Sequence, residues 1–110
     1  MRTIYAPALR QYLKTVAATN VSVGTTAEDI ATLKGAELNS LTTLVSVWPK
    51  AATASIHFEL ATTATTNSPV LLQAEPLVLT KEQVGTTGGA GVATFYATAD
   101  TDMTVMEYYG

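Results

Sequence analysis

From Leu41 onward the apolar residues recur at every second position, in short runs separated by turn-forming residues. This period of two constrains the fold more than any other feature of the chain. It is clearest at residues 54–60, where Ala54, Ile56, Phe58 and Leu60 alternate with Ser55, His57 and Glu59, the pattern of a strand with one buried face. Residues 41–48 are rich in β-branched side chains and run into Pro49. Residues 70–73 and 77–80 are short apolar runs on either side of Glu75-Pro76. Proline cannot donate to a ladder, so that region reads as an edge or a bend. Residues 62–69 form a polar turn and residues 85–91 a glycine loop. Residues 92–98 and 103–108 read as a final strand pair joined around Asp100-Thr101-Asp102.

The first part of the chain has a different period. Pro7 suits a first helical position, and Leu9, Tyr12, Leu13 and Val16 follow at helical spacing, with Asn20 as a helix end. Residues 1–19 therefore read as an arm with one short helix, marginal alone and needing a surface to dock on. Residues 20–23 fit a short strand ending at Gly24. The stretch from Thr26 to Asp29, closed by Lys34-Gly35, reads either as a capped helix or as an irregular strand. At 110 residues the chain has the length of one domain and buries about two-thirds of its unfolded surface. The expected fold is all-β, an antiparallel β-sandwich or jelly-roll-like small barrel over residues 20–110, preceded by the arm.

Charged residues make up 14% of the chain, against about 25% in a typical soluble domain. Alanine and threonine fill the gap, with Thr-Thr doublets at Thr25, Thr42, Thr62, Thr65 and Thr86. A surface so poor in charge buries easily, which points to coverage by neighbouring subunits. The net charge is −3, unevenly placed: Arg2, Arg10 and Lys14 have no acid near them, whereas three lysines face nine acids afterwards, a balance of −6. An acidic body argues against nucleic-acid binding. No run approaches the roughly 20 apolar residues of a membrane span, and Arg10 and Lys14 interrupt any signal-peptide core. The chain has no cysteine, so neither disulfides nor thiolate metal sites are expected.

The candidates for chemistry are few. His57 is the only histidine, and Glu59 shares its strand face, but no nucleophile elbow accompanies them, so a solvated or interface histidine is expected. Asp100-x-Asp102 offers two carboxylates without the further ligands of a calcium loop, and a tight turn is the better reading. The glycines at 85, 88, 89 and 91 precede strand-like residues and no lysine, unlike a phosphate-binding loop. No catalytic residue, metal site or cofactor is expected. Trp48, Tyr108 and Tyr109 are large aromatics of the kind that anchor interfaces, with a core position equally open for Trp48.

The run from Asn20 to Thr26 (NVSVGTT), the stretch from Ser40 to Trp48 (SLTTLVSVW) and the ending from Ala93 to Tyr108 (ATFYATADTDMTVMEY) together resemble the small Thr/Ala-rich virion proteins of tailed bacteriophages, most of all the β-sandwich decoration, or cement, proteins of capsids. The likeness is one of style across residues 20–110, without a diagnostic motif, and extends to minor head, neck and tail components. It implies a non-enzymatic structural protein of the virion, assembled in the host cytoplasm. Such a protein binds the major capsid protein or other virion subunits, often as a homotrimer, without nucleic acid or membrane. The contact residues themselves are read from the sequence, from the apolar stripe and basic charges of the arm and the large aromatics of the body: Arg2, Tyr5, Leu9, Arg10, Tyr12, Leu13 and Val16, with Trp48, Tyr108 and Tyr109. A carbohydrate-binding β-sandwich is the alternative, disfavoured because the aromatics do not line one open face.

Overall fold

The computed structural model describes residues 14–51, 53–85 and 92–109. Among the described residues, seven strands and two short helices follow one another: β1 (Lys14–Val23), β2 (Glu28–Asp29), α1 (Ile30–Lys34), β3 (Leu44–Pro49), β4 (Ile56–Glu59), β5 (Leu77–Thr80), α2 (Lys81–Val84), β6 (Thr94–Ala97) and β7 (Thr101–Tyr109). The strands form a four-stranded sheet in the order β1-β7-β3-β5 and a three-stranded sheet in the order β2-β6-β4, antiparallel throughout. The fold is the expected all-β sandwich.

Every consecutive strand changes sheet, so no two sequential strands pair. This corrects the reading of residues 92–98 and 103–108 as a hairpin. Thr94–Ala97 joins the smaller sheet and Thr101–Tyr109 the larger one, and Asp100 sits at the corner between them. Turn chemistry marks where a chain reverses, but it does not say which strand will be the partner.

The start of the chain holds a second correction. Val16 and Asn20, expected within and at the end of a helix, lie on β1, which pairs with β7 from Lys14↔Tyr109 to Val23↔Thr101. Val16 is the extra residue of a bulge between Thr15 and Ala17. Thr15, Val16, Thr19, Val21 and Val23 are β-branched, and the long ladder with the last strand overrides a four-residue helical spacing. Leu9, Tyr12 and Leu13 lie outside the described residues.

Alternation then assigns the faces. Val21, Val23, Val45, Val47, Leu77, Leu79, Met103 and Val105 of the larger sheet meet Ile56, Phe95 and Ala97 of the smaller one in a single core. Ile30 of α1 and Val84 of α2 close its ends. The helix reading of residues 26–35 holds, with the cap moved: the Asp29 side chain accepts from the Thr32 N–H, and Gly35 ends the helix at φ 73°. The α2 turn was not foreseen, although Thr80 and Gln83 form a reciprocal capping box that the sequence spells out.

Candidate functional site

Three places gather polar or exposed apolar groups. The first is buried. The Glu107 side chain, at 0% exposure, accepts hydrogen bonds from Lys34 Nζ at 2.5 Å, the Asn39 N–H at 2.8 Å and Thr42 Oγ1 at 2.8 Å. Burial pushes its carboxyl up, but the bonds from Lys34, Asn39 and Thr42 and the lysine charge outweigh that, so the group titrates below its ordinary range. With three donors fully engaged it is a structural latch between β7, α1 and the 36–43 loop. No sequence signal exposed it, since Glu107 and Lys34 are 73 residues apart.

The second surrounds His57. It lies on the side of β4 away from the core, as alternation requires, paired with Tyr96. Yet it is buried, because the loop of residues 62–69 folds back over it, which corrects the expectation of a solvated side chain. Its Nδ1 lies 2.9 Å from the Ser68 carbonyl oxygen and therefore donates to it. Ser68 Oγ accepts from the Thr65 N–H at 3.0 Å and donates to Glu59 Oε2 at 2.9 Å. Serine, histidine and carboxylate are thus near one another without the order of a nucleophile relay. The histidine contacts the serine backbone, and the hydroxyl serves the loop.

The third is a cleft of about 420 Å³ at the sandwich edge, between Phe58 and Glu59 of β4, with the following Leu60, and Leu77 of β5. Its outer wall is the segment from Pro69 to Leu72, held to β4 by Phe58 N–H to the Pro69 carbonyl and Leu71 N–H to the Ile56 carbonyl, both at 2.9 Å. Leu71 turns into the core, so its neighbours Val70 and Leu72 project outward at 42% and 55% exposure. Glu59 and Glu75 are the charged groups of the cleft.

The expected contact residues are dispersed. Trp48 is half-buried on the outer face of the larger sheet, opposite Thr104. Tyr108 is 1% exposed, packed with Val78, Leu44 and Met106, so it is no exposed anchor. Tyr109 is 46% exposed, and Val16 is half-buried. Arg2, Tyr5, Leu9, Arg10, Tyr12 and Leu13 lie outside the described residues. Asp100 and Asp102 sit at the β6–β7 corner, where the Asp102 carbonyl accepts from the Lys50 N–H at 3.0 Å. Among the described residues, no three His, Cys, Asp or Glu side chains come together as a metal site. No helix among them is long and apolar enough to cross a membrane. The Val70–Leu72 wall was missed as a surface because residues 70–73 read only as a short apolar run beside an edge or bend, with nothing to say which of its side chains face outward.

Fold and surfaces define a two-sheet antiparallel β-sandwich with an apolar ridge along one edge. Compared with protein-family models, curated proteins and solved structures, the chain matches none.

Proposed function

We propose that this chain is a structural virion subunit, a decoration or cement protein that binds and stabilises an assembled tailed-phage shell. The observation that carries the reading is the exposed ridge of Val70 and Leu72 beside its cleft, on a chain with only 14% charged residues. Two large apolar side chains held outward by a rigid backbone suit a contact with another protein. Several such contacts from one oligomer, a trimer in the family it resembles, multiply into tight holding. The latch at Glu107 and the cap on His57 give the body rigidity and assign its polar groups to structure.

The test is the copy number of this chain in purified particles from its source, measured by quantitative mass spectrometry against the major shell protein. A ratio of order one supports a decoration role, and a trace ratio moves the protein to the neck or tail. Absence refutes the virion reading. On particles that carry the chain, Leu72→Glu is expected to weaken binding at least tenfold, because it places a charge in an apolar contact (about 1.4 kcal/mol per tenfold).

A further inference from the structure

A strand at the edge of a sheet shows a row of unpaired N–H and C=O groups, and proteins that stay single cover or blunt such edges. The edge strands of this sandwich are β1 and β5 in the larger sheet and β2 and β4 in the smaller. All but one are closed. Residues 69–71 run along β4 and take its free bonds, through the Phe58 N–H to the Pro69 carbonyl and the Leu71 N–H to the Ile56 carbonyl. β2 is two residues long and carries Glu28 and Asp29. β5 follows Pro76, and the Thr80 N–H at its other end is taken by Gln83 Oε1 at 2.9 Å. β1 has no such device among the described residues. It is ten residues long, carries no charge after Lys14, and has its bulge at Val16, which leaves residues 17–23 regular.

The ladder shows which groups of β1 are open. The Lys50 N–H reaches the Asp102 carbonyl, so on β7 Asp102, Thr104 and Met106 bond towards β3, and Met103, Val105 and Glu107 bond towards β1. Their partners Val21, Thr19 and Ala17 are thereby used. Ala18, Asn20 and Ser22, all exposed, turn their N–H and C=O to the free side.

We infer that this edge is where a second copy of the chain adds its own β1, antiparallel and centred on Asn20. The pattern is self-complementary. About a two-fold axis at Asn20, Ala18 of each copy lies opposite Ser22 of the other, and the two Asn20 residues face each other. Every outward N–H and C=O then finds a mate, about six hydrogen bonds in all. On the inner face Thr19 of each copy meets Val21 of the other, β-branched pairs that strengthen a ladder. No like charges oppose one another, because residues 15–23 carry none. At one bond per 100–200 Å², six bonds correspond to about 600–1,200 Å² of buried surface, close to the roughly 1,000 Å² that a specific interface needs. The dimer is therefore reversible, forming in the micromolar range and dissociating on dilution. It is a two-fold contact where the resemblance to decoration proteins implies a trimer, and it does not rest on the virion reading. The Val70–Leu72 ridge stays free, since it lies along the opposite edge, beside β4 and β5.

The chain has no cysteine, so single thiols can read the register. Residues opposite each other in a hydrogen-bonded antiparallel pair have Cα atoms about 5.5 Å apart, inside the roughly 4.4–6.8 Å that a disulfide spans. Under mild oxidation of the full chain, Asn20→Cys should form a linked dimer at least tenfold faster than Ser22→Cys, whose two copies sit about 14 Å apart across the axis. Asn20→Pro removes an N–H that β7 does not use. It should raise the dissociation constant at least tenfold in sedimentation equilibrium, while the far-ultraviolet circular dichroism persists. Asn20→Lys, which sets two like charges face to face without constraining the backbone, should do the same. In amide hydrogen exchange Ala18, Asn20 and Ser22 should gain protection as protein concentration rises. A chain that stays monomeric into the millimolar range overturns the inference, as do equal cross-linking rates at the two positions. Protection of these amides that is the same at every concentration would place the cover within one chain and overturn it as well.

Discussion

Replacing Lys34 with methionine tests whether Glu107 is the latch that its geometry describes. The lysine side chain is 10% exposed and the glutamate 0%, so removing the cation strands a carboxylate that has no access to water. The Asn39 N–H and the Thr42 hydroxyl remain, but both are neutral donors. Breaking a buried pair from one side costs about 3–5 kcal/mol, because the survivor is buried without its counter-charge. Native domains have only about 5–15 kcal/mol to lose, so Lys34→Met should lower the melting temperature by roughly 13–22 °C. Glu107→Gln should cost less, since it leaves Lys34, which still touches solvent. Lys34→Met with Glu107→Leu should recover much of the loss.

The pH dependence separates charge from packing. In the native chain the Glu107 pKa lies below its unfolded value, so the latch contributes fully above the ordinary value of 4.5 and is lost as pH falls through the lowered folded value. In Lys34→Met, burial dominates and raises the carboxyl, which reverses the sign: the variant regains stability as the pH falls and the group takes up a proton. The two urea-unfolding curves, followed by circular dichroism, should therefore be furthest apart at pH 7 and converge towards pH 4. A loss below about 1 kcal/mol at pH 7 would place the pair among exposed surface ion pairs and refute the argument. A loss of the same size at both pH values would assign the effect to lysine packing.

Two further substitutions probe positions set by backbone geometry and by the cap on His57. Gly85 has φ 67° and ψ −160°, a region open in practice only to glycine, and a Cβ there would lie 2.1 Å from Val92 Cγ1. Gly85→Ala should cost at least about 2 kcal/mol in denaturant unfolding, and a neutral result would show that the α2 exit is misdescribed. Ser68→Ala removes the acceptor of the Thr65 N–H and the donor to Glu59 while keeping the carbonyl that meets His57. The expected loss is about 1 kcal/mol, with the His57 ring resonances in NMR little moved, whereas a large displacement of those resonances would make the hydroxyl, rather than the backbone, the group that positions the ring.

Alternation determined that this chain would be an all-β fold of packed strands, and the pairing into two separate sheets decided for a sandwich over a small barrel. The period of two placed Ile56, Phe58, Val45, Val47, Met103 and Val105 on buried faces, because a strand has only two sides and one of them must leave water. Local chemistry also reached the helix end at Gly35 and the bend at Pro76, but it put the N-cap at Thr26, three residues before the Asp29 that caps the helix. Three things were decided only by the tertiary structure. Pairing was one: each strand finds its partner in a non-adjacent segment, and β1 became a strand because β7 lies beside it. The burial of His57 was another, since alternation assigns a side chain to a face but says nothing of the loop that later covers that face. The last was the Glu107 latch, whose lysine, amide and hydroxyl come from residues 34, 39 and 42. A charge pattern along the chain carries no trace of a contact that exists only once two sheets have closed around it.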